Sequence, residues 1–99
     1  MKITGTKIFA YGEEIEMKET QYRNKRAAIQ LVSAETGEPY GMLTVNIPEF
    51  PLDEEEILVK TWSENEPYRA PALATGLFQD TGKRAPAGFT EAEVWLIVM

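Results

Sequence analysis

The side chains that most enzymes use near neutral pH are missing from this chain, which has no histidine and no cysteine. That removes thiol nucleophiles, Ser-His and Cys-His pairs, zinc sites of the Cys/His type and haem ligation by histidine. It also removes the commonest general acid or base. Chemistry would have to run on carboxylates, lysine or tyrosine, and the reading is a protein that is not an enzyme and needs no cofactor. The carboxylates are clustered. Asp53, Glu54, Glu55 and Glu56 are consecutive, but they lack the Asp-x-Asp-x-Asp-Gly alternation of a calcium loop, so no metal site is assigned. Glu64 and Glu66 could suggest a catalytic pair, yet glycosidic carboxylates must flank a substrate at set distances, which closeness in sequence does not supply. Arg23, Lys25 and Arg26, with Lys18 nearby, could hold a phosphate or a carboxylate. No Gly-rich loop accompanies them, and a solvated hairpin end is the favoured explanation. Trp62, Tyr68 and Trp95 are amphipathic aromatics of the kind that anchor interfaces or fill cores.

Asp80-Thr81-Gly82 matches the triplet of retroviral-type aspartic proteases, whose subunits have about this length. In that family a flap and a second apolar-Gly element follow the triplet. Only Lys83 to Met99 follow here, too little for a flap, so the triplet reads as a turn with glycine at a special φ.

A chain of 99 residues, 43% hydrophobic and 26% charged, is the size and composition of one globular domain spanning 1–99. No run reaches the ~18 apolar residues of a membrane span, and Met1 to Thr4 lacks the apolar region of a signal peptide. With no disulfides to suggest secretion, the expected location is cytoplasmic. Net charge is −6, which argues against direct nucleic-acid binding. Six basic and seven acidic residues lie up to Phe50, but four basic and nine acidic from Pro51 onward. Such a surface either keeps the chain soluble or meets a protein partner with a basic patch. The partner-binding set assigned on this basis is Asp53, Glu54, Glu55, Glu56, Trp62, Glu64, Asn65 and Glu66. The ligand-binding set is Arg23, Lys25 and Arg26. A homo-oligomer is compatible with either.

The elements that must position these residues are mostly strands. Ala27 to Ile47 reads as a hairpin: a three-residue loop, Glu35-Thr36-Gly37, pairs Ala34 with Glu38, Ile29 with Leu43 and Ala27 with Val45, and puts Leu31 opposite Gly41. That register sorts apolar residues onto one face and gives Gly37 the positive φ of a bulged turn. An earlier hairpin turns at Tyr11-Gly12, with Ile8 facing Ile15, Lys7 facing Glu16 and Phe9 facing Glu14. Asn24 is the natural left-handed residue of the next turn. Pro48 and Pro51 forbid a central strand between them and Asp53. Ile57 to Trp62 resumes a strand. Ser63 with Glu66 has the form of a capping box, and a short or kinked helix is expected over Tyr68 to Thr75, stopped at Gly76, with Pro67 and Pro71 disturbing it. Asp80 to Gly82 and Pro86 to Gly88 mark irregular loops. Glu91 to Met99 is a closing strand apolar on both faces, hence central or covered.

Three phrases together, NKRAAIQLVSAETGEPYGMLTVNIP (Asn24–Pro48), VKTWSENE (Val59–Glu66) and GKRAPAGF (Gly82–Phe89), resemble a family of small bacterial proteins of unassigned function carried on conjugative plasmids, integrative elements and phages. The similarity covers most of Tyr22 to Phe89 and departs at Pro67 to Pro71, where the family has a regular helix-forming run. The family has no assigned catalytic residues to carry over. It implies a mobile element in a bacterial cytoplasm. The expected fold is α+β: a curved antiparallel sheet of five to six short strands, a hairpin meander, with one short helix. The expected function is a small acidic interaction protein that inhibits a host defence or partner protein through its acidic face. The alternative is a small-ligand-binding or sequestering protein.

Overall fold

Residues 3–98 are described by the computed structural model of the chain. It is an α+β fold, but the strands form two antiparallel sheets, not one curved sheet of five to six. The first sheet is a meander of β1 (Lys7–Ala10), β2 (Glu13–Gln21), β3 (Ala27–Ser33) and β4 (Pro39–Met42). The β1–β2 hairpin has the expected register, Ile8 opposite Ile15 and Lys7 opposite Glu16. Tyr11 and Gly12 both have positive φ, 58° and 72°, as a type I′ turn requires. At the β2–β3 turn the left-handed residue is Lys25 (φ 74°), not Asn24. The Asn24 side chain is spent on bracing the loop: its Oδ1 accepts from the Arg26 amide and its Nδ2 donates to Asn46 Oδ1.

The central hairpin keeps the expected register away from its turn, with Leu31 opposite Gly41 and Gln30 opposite Met42, and loses it near the turn, where Val32 faces Pro39. The loop is four residues, Ala34 to Gly37, closed by Ser33 N–H to Glu38 O at 2.8 Å. The reason is local. Ser33 Oγ accepts from the amides of Glu35 and Thr36 and closes the turn one residue earlier than the apolar pattern alone dictates. The displaced residue is Tyr40, left as the extra member of a β-bulge.

The second sheet has β7 (Thr90–Ile97) between β5 (Glu56–Val59) and β6 (Phe78–Ala87). β7 is central, as its two apolar faces require, and that need for cover on both sides is what divides the fold. Ile57, Val59, Trp95 and Ile97 join the main core with residues of the first sheet. Leu58, Ala85, Ala92 and Val94 form a second cluster on the opposite face, under Val45, Ile47, Phe50, Leu52 and Trp62. Val45 N–H to Leu58 O, Lys60 N–H to Leu43 O and a bridge between Thr44 and Val59 stitch the sheets together. β6 replaces the two irregular loops expected between Asp80 and Gly88. It is one strand with a bulge between Asp80 and Arg84, where Gly82 takes φ 85°. Pro86 is accommodated because β6 is an edge strand, so no ladder bond needs its amide. Met99, included in the closing strand by its pattern, lies outside the described residues.

The helical segment is a 3₁₀ helix, Ser63–Tyr68, running into α1 (Arg69–Ala74). No capping box forms. Ser63 has φ 56° and no side-chain cap bond is made, because a left-handed residue lacks the extended backbone a cap needs. Pro71 is tolerated because α1 begins at Arg69, which puts the proline in a first turn whose amides have no partner inside the helix. Gly76 follows with φ 80°. Among the described residues no helix is long and apolar enough to cross a membrane.

Two substitutions separate these turn assignments. At Gly37 (φ 78°) an added Cβ meets no atom within 4 Å, so Gly37→Val is expected to cost only conformational strain, about 1–3 kcal/mol in a thermal melt. Ser63→Ala, in contrast, should leave the urea midpoint stability within roughly 0.5 kcal/mol; a larger loss would restore a capping role.

Candidate functional site

The acidic and basic stretches that the sequence assigns to different ligands face one another. Lys25 and Arg26 from the β2–β3 turn and Asp53 to Glu56 line one open cleft of about 350 Å³, with Glu19 and Gln21 on its wall. Several of these groups hold the fold. Arg26 donates to the carbonyls of Ile47 and Phe50 and so pins the proline loop. Glu56 is only 9% exposed; it accepts from the Asp53 amide and pairs with Lys83 at 2.5 Å. Asn65 is buried and donates to Met42 O. Trp62 is half-buried, with the Lys60 ammonium 5.8 Å from its ring. Arg23, Lys25, Asp53, Glu54, Glu55 and Glu66 remain exposed. Among the described residues no three carboxylates converge as metal ligands would.

The two acidic clusters do not share an edge. Asp53 to Glu56 lie beside Gln21, at one end of β2, whereas the Glu64 carbonyl accepts from Tyr11 Oη at 2.5 Å, beyond the other end. Nine strand residues separate those ends, roughly 26 Å.

At the Glu64 end lies a smaller cleft of about 240 Å³, lined by Tyr11, Glu13, Ile15, Tyr40, Glu64 and Tyr68. Each tyrosine is delivered by an irregularity. Tyr11 occupies the left-handed first position of the β1–β2 turn, where asparagine or aspartate is the low-strain choice. Tyr40 is the bulged residue of β4, and bulges re-aim side chains. Tyr68 sits where the 3₁₀ helix passes into α1. The Tyr11 and Tyr68 rings meet edge to face, 5.6 Å between centroids. Tyr40 Oη donates to Glu13 Oε1 at 2.7 Å. Tyr68 is 4% exposed, and its hydroxyl has no hydrogen-bond partner among the described residues although it borders the cleft. The Glu13 hydrogen bond raises the Tyr40 pKa and burial raises that of Tyr68. Both phenols stay protonated at neutral pH and serve as ring faces and hydrogen-bonding groups.

This end is also negatively charged. Glu13, Glu14 and Glu35 line an adjoining hollow, and Glu38 adds to the field at Tyr40. None of these four makes an ion pair among the described residues. Glu64 differs: Lys60 pairs with it at 2.7 Å and lowers its pKa. Phe9 and Tyr11, 64% and 58% exposed, lie on the same hairpin. Sequence reasoning missed Tyr11, Glu13 and Tyr40. The available signal was an aromatic in an otherwise ideal Tyr-Gly turn; the bulge at Tyr40 left none.

A four-member ion network positions this end from behind. Glu93 on β7 accepts from Arg69 Nε at 2.9–3.0 Å and from Trp95 Nε1 at 2.9 Å. Asp80 accepts from Arg69 and from Arg84, and from the Gly82 amide. Arg69 follows Tyr68 directly, so the network fixes the helical segment that carries Tyr68 and Glu64. Asp80-Thr81-Gly82 is thus a strand bulge within an ion network.

No family model, curated protein or solved structure matches this chain.

Two ion pairs, the separate Glu56–Lys83 pair and Asp80–Arg84 of the network, set a pH dependence. Glu56 is held below the usual carboxylate range by Lys83 and the Asp53 amide, and Asp80 by Arg84 and the Gly82 amide. As the folded values lie below the unfolded ones, the unfolded chain takes up protons first on acidification. The stabilisation is therefore complete above about pH 5, beyond both unfolded values, and is lost as pH falls through the folded values. Urea midpoints should drop along that limb, and Lys83→Met should flatten it; an unchanged slope would mean that Glu56 is not linked to Lys83.

Proposed function

We propose that the chain is a non-enzymatic binding protein that engages a basic patch on a partner protein through the acidic, tyrosine-bearing end of its first sheet. The observation that carries this reading is the convergence of exposed aromatics with carboxylates that make no ion pair among the described residues: Tyr11 and Tyr40 beside Glu13, Glu14 and Glu35, with Phe9 across the hairpin from Glu14 and Glu38 in the field at Tyr40. Tyrosine supplies large contact area at low entropy cost and is enriched at interface centres. Carboxylates without internal cations speed encounter with a basic surface. In the mobile-element setting that the sequence resemblance implies, such a protein acts as an inhibitor, occupying a host defence or regulatory protein. The acidic run at Asp53 to Glu55 is a weaker anchor, because Lys25 and Arg26 stand across the same cleft and oppose a basic partner.

The test compares two charge-removal variants for capture of a partner from the host lysate. Glu13, Glu14, Glu35 and Glu38 are changed together to Gln in one, Glu54 and Glu55 in the other. The first should lose at least about tenfold in affinity at low salt, with the parent's binding itself weakening as salt rises. The second should bind within about threefold of the parent. Loss confined to the second variant would move the interface to the opposite end of the molecule, and equal binding by both would overturn the acidic-end reading.

A further inference from the structure

Resting on that reading, the geometry points to the cleft between Tyr11, Tyr40 and Tyr68 as a receptor for a single arginine side chain of the partner, its guanidinium held against the rings and the Glu13 carboxylate. A cleft of about 240 Å³ is below the roughly 300–1,000 Å³ of small-molecule sites and suits one inserted side chain. Its walls are three aromatic rings, two glutamates and the buried Ile15, and the rings and carboxylates together attract a cation through ring faces and charge.

The acceptors left open favour a planar, multidonor cation. Glu13 Oε1 is occupied by Tyr40 Oη, leaving Oε2. The Glu64 carboxylate is already engaged by Lys60 and by its own backbone amide, so it adds negative charge at the rim and not an open acceptor. The Tyr68 hydroxyl, on a side chain that is otherwise buried, has no partner among the described residues. A guanidinium has five donors in a fixed fork and stacks on aromatic faces, so it can address several such acceptors at once; an ammonium is a compact point charge that cannot stack. Tyr11 and Tyr40 bond to Glu64 O and to Glu13 through their hydroxyls, which fixes their rings before any ligand arrives. Preorganisation of this kind lowers the cost of binding. The tyrosine placed at positive φ is understandable on the same basis, because strain at a site persists where the surroundings hold it for a role.

The experiment follows the tyrosine ring signals of the intact protein by NMR while a blocked Gly-Arg-Gly peptide is added. Blocked Gly-Lys-Gly and Gly-citrulline-Gly serve as comparisons, citrulline having arginine's shape without its charge. The arginine peptide should shift the Tyr11, Tyr40 and Tyr68 rings with a dissociation constant on the order of millimolar, the lysine peptide should bind several-fold more weakly, and citrulline should leave the rings unmoved. Glu13→Gln should weaken arginine binding by at least about tenfold, the loss expected for a charge-assisted hydrogen bond. Tyr68→Phe, which keeps the ring, should weaken it several-fold while the amide spectrum stays that of the folded parent. Equal shifts with citrulline, tighter binding of lysine, or no effect of Glu13→Gln would each overturn the assignment. If the arginine peptide fails to bind while the Glu13, Glu14, Glu35 and Glu38 variant still loses the partner, the receptor is wrong and the acidic interface stands. If the peptide binds and that variant keeps the partner, the cleft takes arginine as assigned and the broader reading falls.

Discussion

The carboxylate of Glu93 ties the helical segment to the central strand of the second sheet. It stands on the central strand of the second sheet, two residues from the fully buried Trp95, and accepts from that indole and from Arg69 of α1. Through Arg69 and Asp80 it reaches the bulge of β6. A largely buried carboxylate needs its cation: removing the partner of such a group costs about 3–5 kcal/mol in interior sites, and less where, as at Arg69, solvent reaches the guanidinium. The pair therefore acts less as a source of net stability than as a position-setter. It fixes where the six-residue α1 sits, and hence where Tyr68 and Glu64 stand.

The tyrosine cleft is built where regular structure is interrupted. A left-handed turn, a β-bulge and a junction between 3₁₀ and α helix each turn one tyrosine toward the same small space. The two hydroxyls at the rim are tied to Glu64 O and Glu13, and the deepest one is left open. Interruptions of this kind carry local cost, and their convergence on one side-chain type is what distinguishes this end of the molecule from the rest of its surface.

Charge is distributed with the same polarity. At the far end of the first sheet, Lys25 and Arg26 stand opposite Asp53 to Glu56, and Arg26 is committed to holding the proline loop. At the tyrosine end the carboxylates of Glu13, Glu14, Glu35 and Glu38 have no cation of their own among the described residues. The net charge of −6 is therefore uneven in its effect, and the long acidic run is the more compensated of the two clusters.

The sequence by itself determined the pairings that follow from local alternation. The β1–β2 register and the distal register of the central hairpin come from apolar residues recurring every second position, the buried position of the closing strand from its two apolar faces, and the end of the short helix from Gly76. What it could not decide were outcomes of competition. Ser33 captured two amides and shifted the loop by one residue, Asn24 gave its side chain to Asn46 and left the turn to Lys25, and Ser63 went left-handed instead of capping. The division into two sheets came from β7, whose two apolar faces demanded cover from different partners, with Pro48 and Pro51 keeping the chain between them out of either sheet. The candidate site was almost illegible for the same reason. Asp53 to Glu56 were conspicuous because they are adjacent, whereas Tyr11, Tyr40 and Tyr68 are far apart in sequence and meet only because a turn, a bulge and an ion pair at Arg69 aim them at one point. Local pattern fixes which residues pair along a strand; only the packed chain decides which side chains from different elements share a space.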